Sequence, residues 1–451
     1  MDGKEEGGNG FFYYSLAAFT AVLTGLIVTD KHAPWRKGEG SAEFRSFQLN
    51  YLVVFVLAFL GDWLQGPYVY ALYEQYGFDD GQIGLLFIFG FASSMIFGTF
   101  FGSLADRYGR RKSCLIYCVT YALSCLTKHF SSFPLLLIGR VLGGIATSLL
   151  FSAFEAWMVH VHHHDKKFPS EWLSSTFGYA VFANGLCAIA AGVIGNAVKD
   201  AAHSYVAPFD AAIAMLVVCF GVIAMTWTEN YGDSHTDLTS LFKRGLMAMV
   251  NDKNVMLLGL VQSLFEAAMY IFVFMWTPTL GGEVTSLPHG LVFSSFMVCV
   301  MVGGAIFNRM SSQASTKVLA GRVRVVFFVA AIALFFPVFG GGWRLNYLAF
   351  CVYEVCVGIF WPVIGTLRSD IVPETVRASV MNNFRIALNG VVVVVLMHIE
   401  SIPPTVVFSL CFAFTLLAFF LLSLLTSRLP PSHTASGDEQ RQGGAEKSAK
   451  A

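Results

Sequence analysis

The chain has 451 residues, 55% of them hydrophobic and only 13% charged, with 29 basic side chains balancing 29 acidic ones and a mean hydropathy of +0.62. No ordinary soluble domain of this length has that composition, which leaves a polytopic helical membrane protein. The nine cysteines all fall within apolar segments, without C-x-x-C pairs, and read as small core hydrophobes rather than a disulfide framework or a metal site.

In chain order, residues 1–10 are acidic and glycine-rich and lead into an apolar run over 11–28. A secretory signal wants a basic start and a small-residue cleavage site; neither is clear here, so the run reads as an uncleaved membrane helix. Stretches of roughly 20 apolar residues, enough to span about 30 Å of hydrocarbon, follow over 49–74, 82–104, 112–130, 134–158, 171–197, 207–227, 253–280, 287–309, 321–340, 345–368, 376–398 and 403–427. The first span is an addition (1–46 with its flanks). The remaining twelve divide into a bundle over 47–228 and a second over 253–428, separated by a hydrophilic linker over 229–252. The tail, 429–451, lacks periodicity and is expected to be disordered.

The stretch 102–112 between the second and third core spans reads Gly-Ser-Leu-Ala-Asp-Arg-Tyr-Gly-Arg-Arg-Lys. Four cations on so short a loop hold it in the cytoplasm. The pattern G-x-L-A-D-R-x-G-R-R-K resembles the loop between helices 2 and 3 of the major facilitator superfamily, which implies two six-helix bundles, here with one extra helix. With that loop inside, 23 of the 29 Lys and Arg lie on the cytoplasmic side, four lie outside and two (Arg140 and Arg385) lie within spans. The N-terminus is then outside and the tail inside. The halves also resemble each other: Phe168-Pro169 before a helix with Asn184-Gly185 parallels Val372-Pro373 before Asn389-Gly390, and Gly144-Ile145 parallels Gly358-Ile359. Parallel transporter repeats leave such traces.

An ionisable residue at mid-bilayer is costly and normally faces a cavity or a partner. Asp62, Glu266, Glu354 and Arg385 lie near the centres of core spans 1, 7, 10 and 11. Arg140 lies in span 4, six residues or roughly 9 Å toward the outside from its centre. Three acids against one base at that depth cannot all stay ionised in low dielectric, so at least one is expected to hold a proton part of the time, making Asp62, Glu266 and Glu354 candidate proton-coupling residues. Arg385 with Glu354 alternatively reads as a structural ion pair between two helices. Gln65, Tyr68, Gln262, Tyr270, Asn383 and Asn389 lie within one or two turns and can supply neutral hydrogen bonds. Gly66-Pro67 and Trp361-Pro362 are expected to bend their helices beside this polar path.

A separate layer near the cytoplasm holds Glu155, Arg368 and Asp370, expected to latch or gate with Arg107, Arg110 or Arg111. Asp106 is expected to accept hydrogen bonds from the start of span 11, around Thr375 to Ala378. The run His160-Val-His-His-His-Asp165 invites a metal reading, but beside Lys166 and Lys167 it reads as a solvated loop. Glycine pairs such as Gly98 with Gly102 and Gly139 with Gly143 allow close helix packing. No nucleotide loop, zinc-protease motif or nucleophile elbow stands in a suitable context, so neither enzyme activity nor a cofactor nor a nucleic-acid partner is expected.

The runs Gly-Asp-Trp-Leu-Gln-Gly-Pro-Tyr-Val-Tyr (61–70), Gly-Arg-Val-Leu-Gly-Gly (139–144), Leu-Phe-Ser-Ala-Phe-Glu-Ala-Trp (150–157), Phe-Val-Phe-Met-Trp-Thr-Pro (272–278), Val-Pro-Glu-Thr (372–375) and Asn-Phe-Arg (383–385) resemble one branch of the superfamily, the molybdate-anion transporters. That resemblance implies import of molybdate across the plasma membrane by a protein expected to work as a monomer. Moving a dianion against an inside-negative potential costs about 4.6 kcal/mol per 100 mV, twice the single-charge value. Two protons per anion would make the cycle electroneutral and three would let the potential drive it. Arg385 and Arg140 would then receive the anion's oxygens through guanidinium forks. The acidic surplus alone equally suits a cationic solute exchanged for protons, and a non-transporting nutrient receptor is a third reading.

Overall fold

The computed structural model describes residues 8–29, 40–232, 238–284, 286–311 and 315–429; within these, the side chains of 8–9, 99–103, 238–244, 374–376, 378–379, 381–382 and 387 fall outside the description. The expected disordered tail and the loop carrying Lys31, Arg36 and Lys37 therefore lie outside the described residues. All the described elements are helical.

The added helix is α1 (Gly8–Thr29). The first bundle comprises α2 (Ala42–Trp63) continued by α3 (Val69–Gln75), α4 (Asp80–Tyr108), α5 (Arg110–Leu126), α6 (Phe133–Leu150) continued by α7 (Ala153–His160), α8 (Ser170–Ala202) and α9 (Ala207–Thr226). After the linker helix α10 (Leu238–Asn251) come α11 (Lys253–Gly281), α12 (His289–Ser311), α13 (Thr316–Phe335), α14 (Trp343–Ile371), α15 (Glu374–Met397) and α16 (Pro404–Arg428). Among the described residues, eleven helical segments are long and apolar enough on their own to cross a bilayer. Two of the thirteen expected spans fall short. α5 has 17 residues, extended by a 3-10 turn over Thr127–His129, because its start is the basic loop itself. α15 has 24 residues, and its apolar stretch among the described residues is Asn383–Met397.

The two expected proline bends behave differently. Gly66–Tyr68 forms a 3-10 turn that divides α2 from α3. Pro362 instead stays inside an unbroken α14. The linker is not simply hydrophilic loop: α10 lies along α15.

Close crossings fix the helices, since in lipid the packing of small residues replaces the hydrophobic drive. A Cβ on Gly144 would meet the Gly90 carbonyl at 2.7 Å, and one on Gly358 would meet the Val300 carbonyl at 2.0 Å. The repeat inferred from Gly144-Ile145 and Gly358-Ile359 is thus the same helix crossing made once in each half. α1 docks on the second half: Phe12 lies 5.2 Å from Trp343 and 5.0 Å from Tyr347, and Leu23 packs on Val298 and Val302. At its inner end Arg309 donates to Leu26 O at 3.2 Å and also to Thr29 Oγ1.

The halves meet at mid-depth and toward the outside. Ser294 Oγ donates to Ile189 O at 2.8 Å, Trp63 reaches Phe293 at 5.8 Å, and Phe274 lies edge-on to both Tyr70 and Phe87 at 5.3 Å. A Cβ on Gly84 would touch Leu396 O at 3.0 Å. On the cytoplasmic side a cavity of about 470 Å³ opens beside Arg110, Phe151, Glu155, His160 and His164. The described residues lining that cavity all belong to the first half, whereas a smaller cavity of about 250 Å³ lies between the halves at the outer end, beside Asp80, Phe274, Pro278 and Glu400.

Candidate transport path

The midplane charges sit in different surroundings. Asp62, near the inner side of the break that Gly66-Pro67 makes, accepts a 2.5 Å hydrogen bond from Tyr121 Oη on α5. Beside it Trp63 Nε1 donates to Asn184 Oδ1 at 2.8 Å. On α11, Glu266 is buried and accepts from Gln262 Nε2 one turn away at 2.7 Å. Glu354 on α14 is also buried, and no hydrogen bond or ion pair reaches its carboxylate among the described residues. The alternative Arg385–Glu354 ion pair is not formed: the acid within electrostatic range of Arg385 is Glu266 on the facing helix α11. Arg368, expected in the cytoplasmic layer, also acts on Glu266.

The two in-membrane arginines converge on α4. Arg140, from α6, donates through Nε to Leu86 O at 3.1 Å and lies over the Phe87 ring at 4.8 Å. Its guanidinium fills the place a side chain at Gly90 would take, with Nη2 only 2.5 Å from a Cβ built there. Arg385, from α15, brings Nη1 within 3.6 Å of a Cβ built at Gly98. Gly90 and Gly98 are eight residues apart, about 12 Å along the helix. Neither arginine forms an ion pair with a carboxylate among the described residues. Arg140 and Glu354, each four residues before its crossing glycine, occupy equivalent positions in the two halves.

The neutral candidates divide. Tyr270 faces the path edge-on to Phe91 of α4 at 5.0 Å. Asn383 is buried, and Asn389 Nδ2 turns back to Arg385 O at 2.7 Å. Gln65 Nε2 likewise returns to its own helix, at Gly61 O. Tyr68 lies away from this group, in the outer seam against His289.

The cytoplasmic loop is organised within the first half. Asp106 pairs with Arg110 at 2.7 Å, and Arg110 Nη1 also donates to Ala156 O. Gly109 takes φ +113, where a Cβ would strike the Glu229 carboxylate at 2.6 Å; that carboxylate accepts from the backbone N–H groups of Arg111 and Lys112 and so caps α5. Arg111 Nη2 satisfies Ala224 O at the end of α9, at 2.7 Å. Arg107 lies over its neighbour Tyr108. Glu155 lines the inner cavity together with Arg110. Asp370 instead accepts from Thr316 Oγ1 at 2.5 Å. The expected contact of Asp106 with 375–378 falls largely on side chains outside the description. Among the described residues, no group of three or more His, Cys, Asp or Glu is arranged to hold a metal.

Sequence reasoning missed Tyr121, Gly90, Glu229 and His289. Tyr117 and Tyr121, one turn apart on an otherwise weakly apolar span, were the available signal for the first. A glycine opposite an arginine has no signature along the chain.

A family model described as sugar transporters with 12 TM matches residues 11–345. A molybdate-anion transporter of Xenopus tropicalis is 37% identical over 95% of this chain and 99% of its own length. Another, from Takifugu rubripes, is 36% identical over 84% and 85%. Among solved structures, the nucleoside transporter NupG superposes with a TM-score of 0.65 over 85% of this chain and 100% of that one, at 13% identity.

Proposed function

Because the chain belongs to the molybdate-anion transporter family of the major facilitator superfamily, we propose that it imports molybdate across the plasma membrane by alternating access of its two bundles, coupled to protons. The observation that carries the site assignment is the pair of guanidinium groups that form no carboxylate ion pair among the described residues, Arg140 and Arg385, brought to α4 from opposite halves at Gly90 and Gly98. A tetrahedral oxyanion at either one gains charge-assisted, forked hydrogen bonds, and its charge supplies the direct counterion that these cations lack there; the roughly 12 Å between them makes two successive stations along α4. The carboxylates serve the protons. Glu354, reached by neither cation nor donor among the described residues, is stable in this state only when protonated. Asp62 and Glu266, each facing one neutral donor, exchange protons as the path opens from side to side. Two or three protons per anion overcome the cost of about 4.6 kcal/mol per 100 mV that excludes uniport.

Uptake of labelled molybdate into proteoliposomes, competed by sulfate and by organic cations, tests the substrate. Competition by cations and not by oxyanions would overturn it. Arg385→Lys keeps the charge but loses the fork, so molybdate binding should weaken by roughly tenfold or more; unchanged binding removes Arg385 from the site. Asp62→Asn and Glu266→Gln should each flatten the dependence of uptake on external pH, measured on folded, reconstituted protein. If both amide variants keep the wild-type profile, these two acids are not the coupling sites.

A further inference from the structure

His289 opens α12 just after Pro288, and its ring is 7% exposed in a box made by Tyr68, Tyr205 and Trp276, at centroid distances of 6.2, 5.9 and 6.0 Å. Its Nδ1 has no hydrogen-bond partner, and neither has the hydroxyl of fully buried Tyr68 beside it. The backbone of Leu287 and of Gly290 lies close to the two groups without completing a hydrogen bond to either. These two orphans come from opposite halves, Tyr68 from the first and His289 from the second. They lie at the outer seam, where a Cβ on Gly192 would meet the Gly290 carbonyl at 2.4 Å. The charge that reaches His289 is that of Lys199 on α8, which pairs with Asp200 at 2.8 Å and lies over the Tyr205 ring at 5.4 Å.

A buried polar atom left without a partner costs free energy, so two of them facing each other across one seam call for an explanation. The seam is closed here. When the halves part on the outside, Tyr68 Oη and the imidazole both turn into the opening, with the Lys199 ammonium beside them. That mouth then offers an O–H, an N–H and a cation; the one carboxylate beside them among the described residues, Asp200, is already engaged by Lys199 and by Asn196 Nδ2 at 2.8 Å each, and an incoming anion competes with it for the ammonium.

We propose that His289, Tyr68 and Lys199 form an outer capture site that receives the tetrahedral oxyanion in the outward-facing state and releases it toward Arg140 and Arg385 as the seam closes. The proposal rests on the oxyanion reading above and adds a second, transient site at the outer mouth. The titratable and charged groups facing His289 are Tyr68 on the turn before α3, Lys199 and Asp200 on α8, and Tyr205; Trp276 of α11 does not titrate. Of these residue types, only an imidazole in water changes charge near pH 6.5, roughly. Acid outside therefore adds a second cation to the open mouth and strengthens capture. On closure the anion leaves, the imidazole returns its proton, and the two orphans are left facing one another, which keeps the closed seam from becoming a trap.

The test compares labelled molybdate influx and efflux in proteoliposomes of fixed orientation at pH 6 and pH 8. His289→Gln should raise KM on the outer face roughly tenfold at pH 6, the worth of one charge-assisted hydrogen bond, and distinctly less at pH 8. Tyr68→Phe, which removes only an unpartnered hydroxyl and so keeps the fold, should raise the outer KM several-fold, roughly equally at both pH values. KM on the inner face should stay unchanged in both variants. An outer KM unmoved in Tyr68→Phe and His289→Gln, or one that rises equally on both faces, overturns the capture site. Wild-type protein that carries no molybdate would instead overturn the substrate reading, and the capture site with it.

Discussion

The Arg140 guanidinium keeps its place because residue 90 has no side chain. Any Cβ there would sit 2.5 to 2.9 Å from three of its atoms. Gly90→Ala should therefore push the arginine head off α4. Only the far end of a flexible chain has to move, so stability should change by about 1 kcal/mol or less, while the KM for molybdate rises as much as in Arg140→Ala. The double variant should be no worse than either single one, the signature of two residues acting through one contact; additive losses would show that Gly90 serves packing alone. Arg140 itself was legible as an intramembrane charge. Its partner was not, because a missing side chain leaves nothing along the chain to read. Tyr121, which holds Asp62, was hidden for another reason: it lies 59 residues away, and nothing in the order of residues says which face of α5 meets α2.

At the scale of elements, α1 and α12 form one unit. α1 is tied to the second half at its outer end by Phe12 on Trp343 and Tyr347, along its length by Leu23, and at its inner end by Arg309. Phe12→Ala should destabilise the protein by on the order of 1–2 kcal/mol, read as a lower thermal midpoint in detergent. That is less than for a water-soluble core, because lipid is as apolar as the cavity it replaces and only packing is lost. Molybdate affinity should not change, since Phe12 lies away from both arginines; a shift in affinity would give α1 a part in binding. The sequence located this helix and marked it as additional. Where it docks depended on aromatic residues near its start meeting others more than 300 residues on.

The whole molecule is poised with its outer seam shut. If that seam must part for uptake, joining it covalently should stop the cycle. Ser294 Oγ touches Ile189 O across the halves, so an Ile189→Cys, Ser294→Cys pair on a background lacking the native cysteines should, once oxidised, abolish molybdate uptake and recover it on reduction. Persistent uptake in the cross-linked protein would place the moving boundary elsewhere.

By itself the sequence determined the membrane setting and the number and order of most spans, and it set the expected depth of each ionisable residue. These depend on composition, on length against bilayer thickness and on which side of the bilayer a cation rests, all of which are local or additive along the chain. Partnership was decided only by the tertiary structure. Glu266 rather than Glu354 lies within reach of Arg385, Arg368 acts electrostatically on Glu266, Asp106 closes on Arg110, and Tyr68 faces His289 in the outer seam. Depth along a helix follows from counting residues, whereas the face a helix turns to its neighbours follows from which glycines let backbones touch. Those crossings, Gly144 on Gly90 and Gly358 on Val300, exist only once the helices have packed.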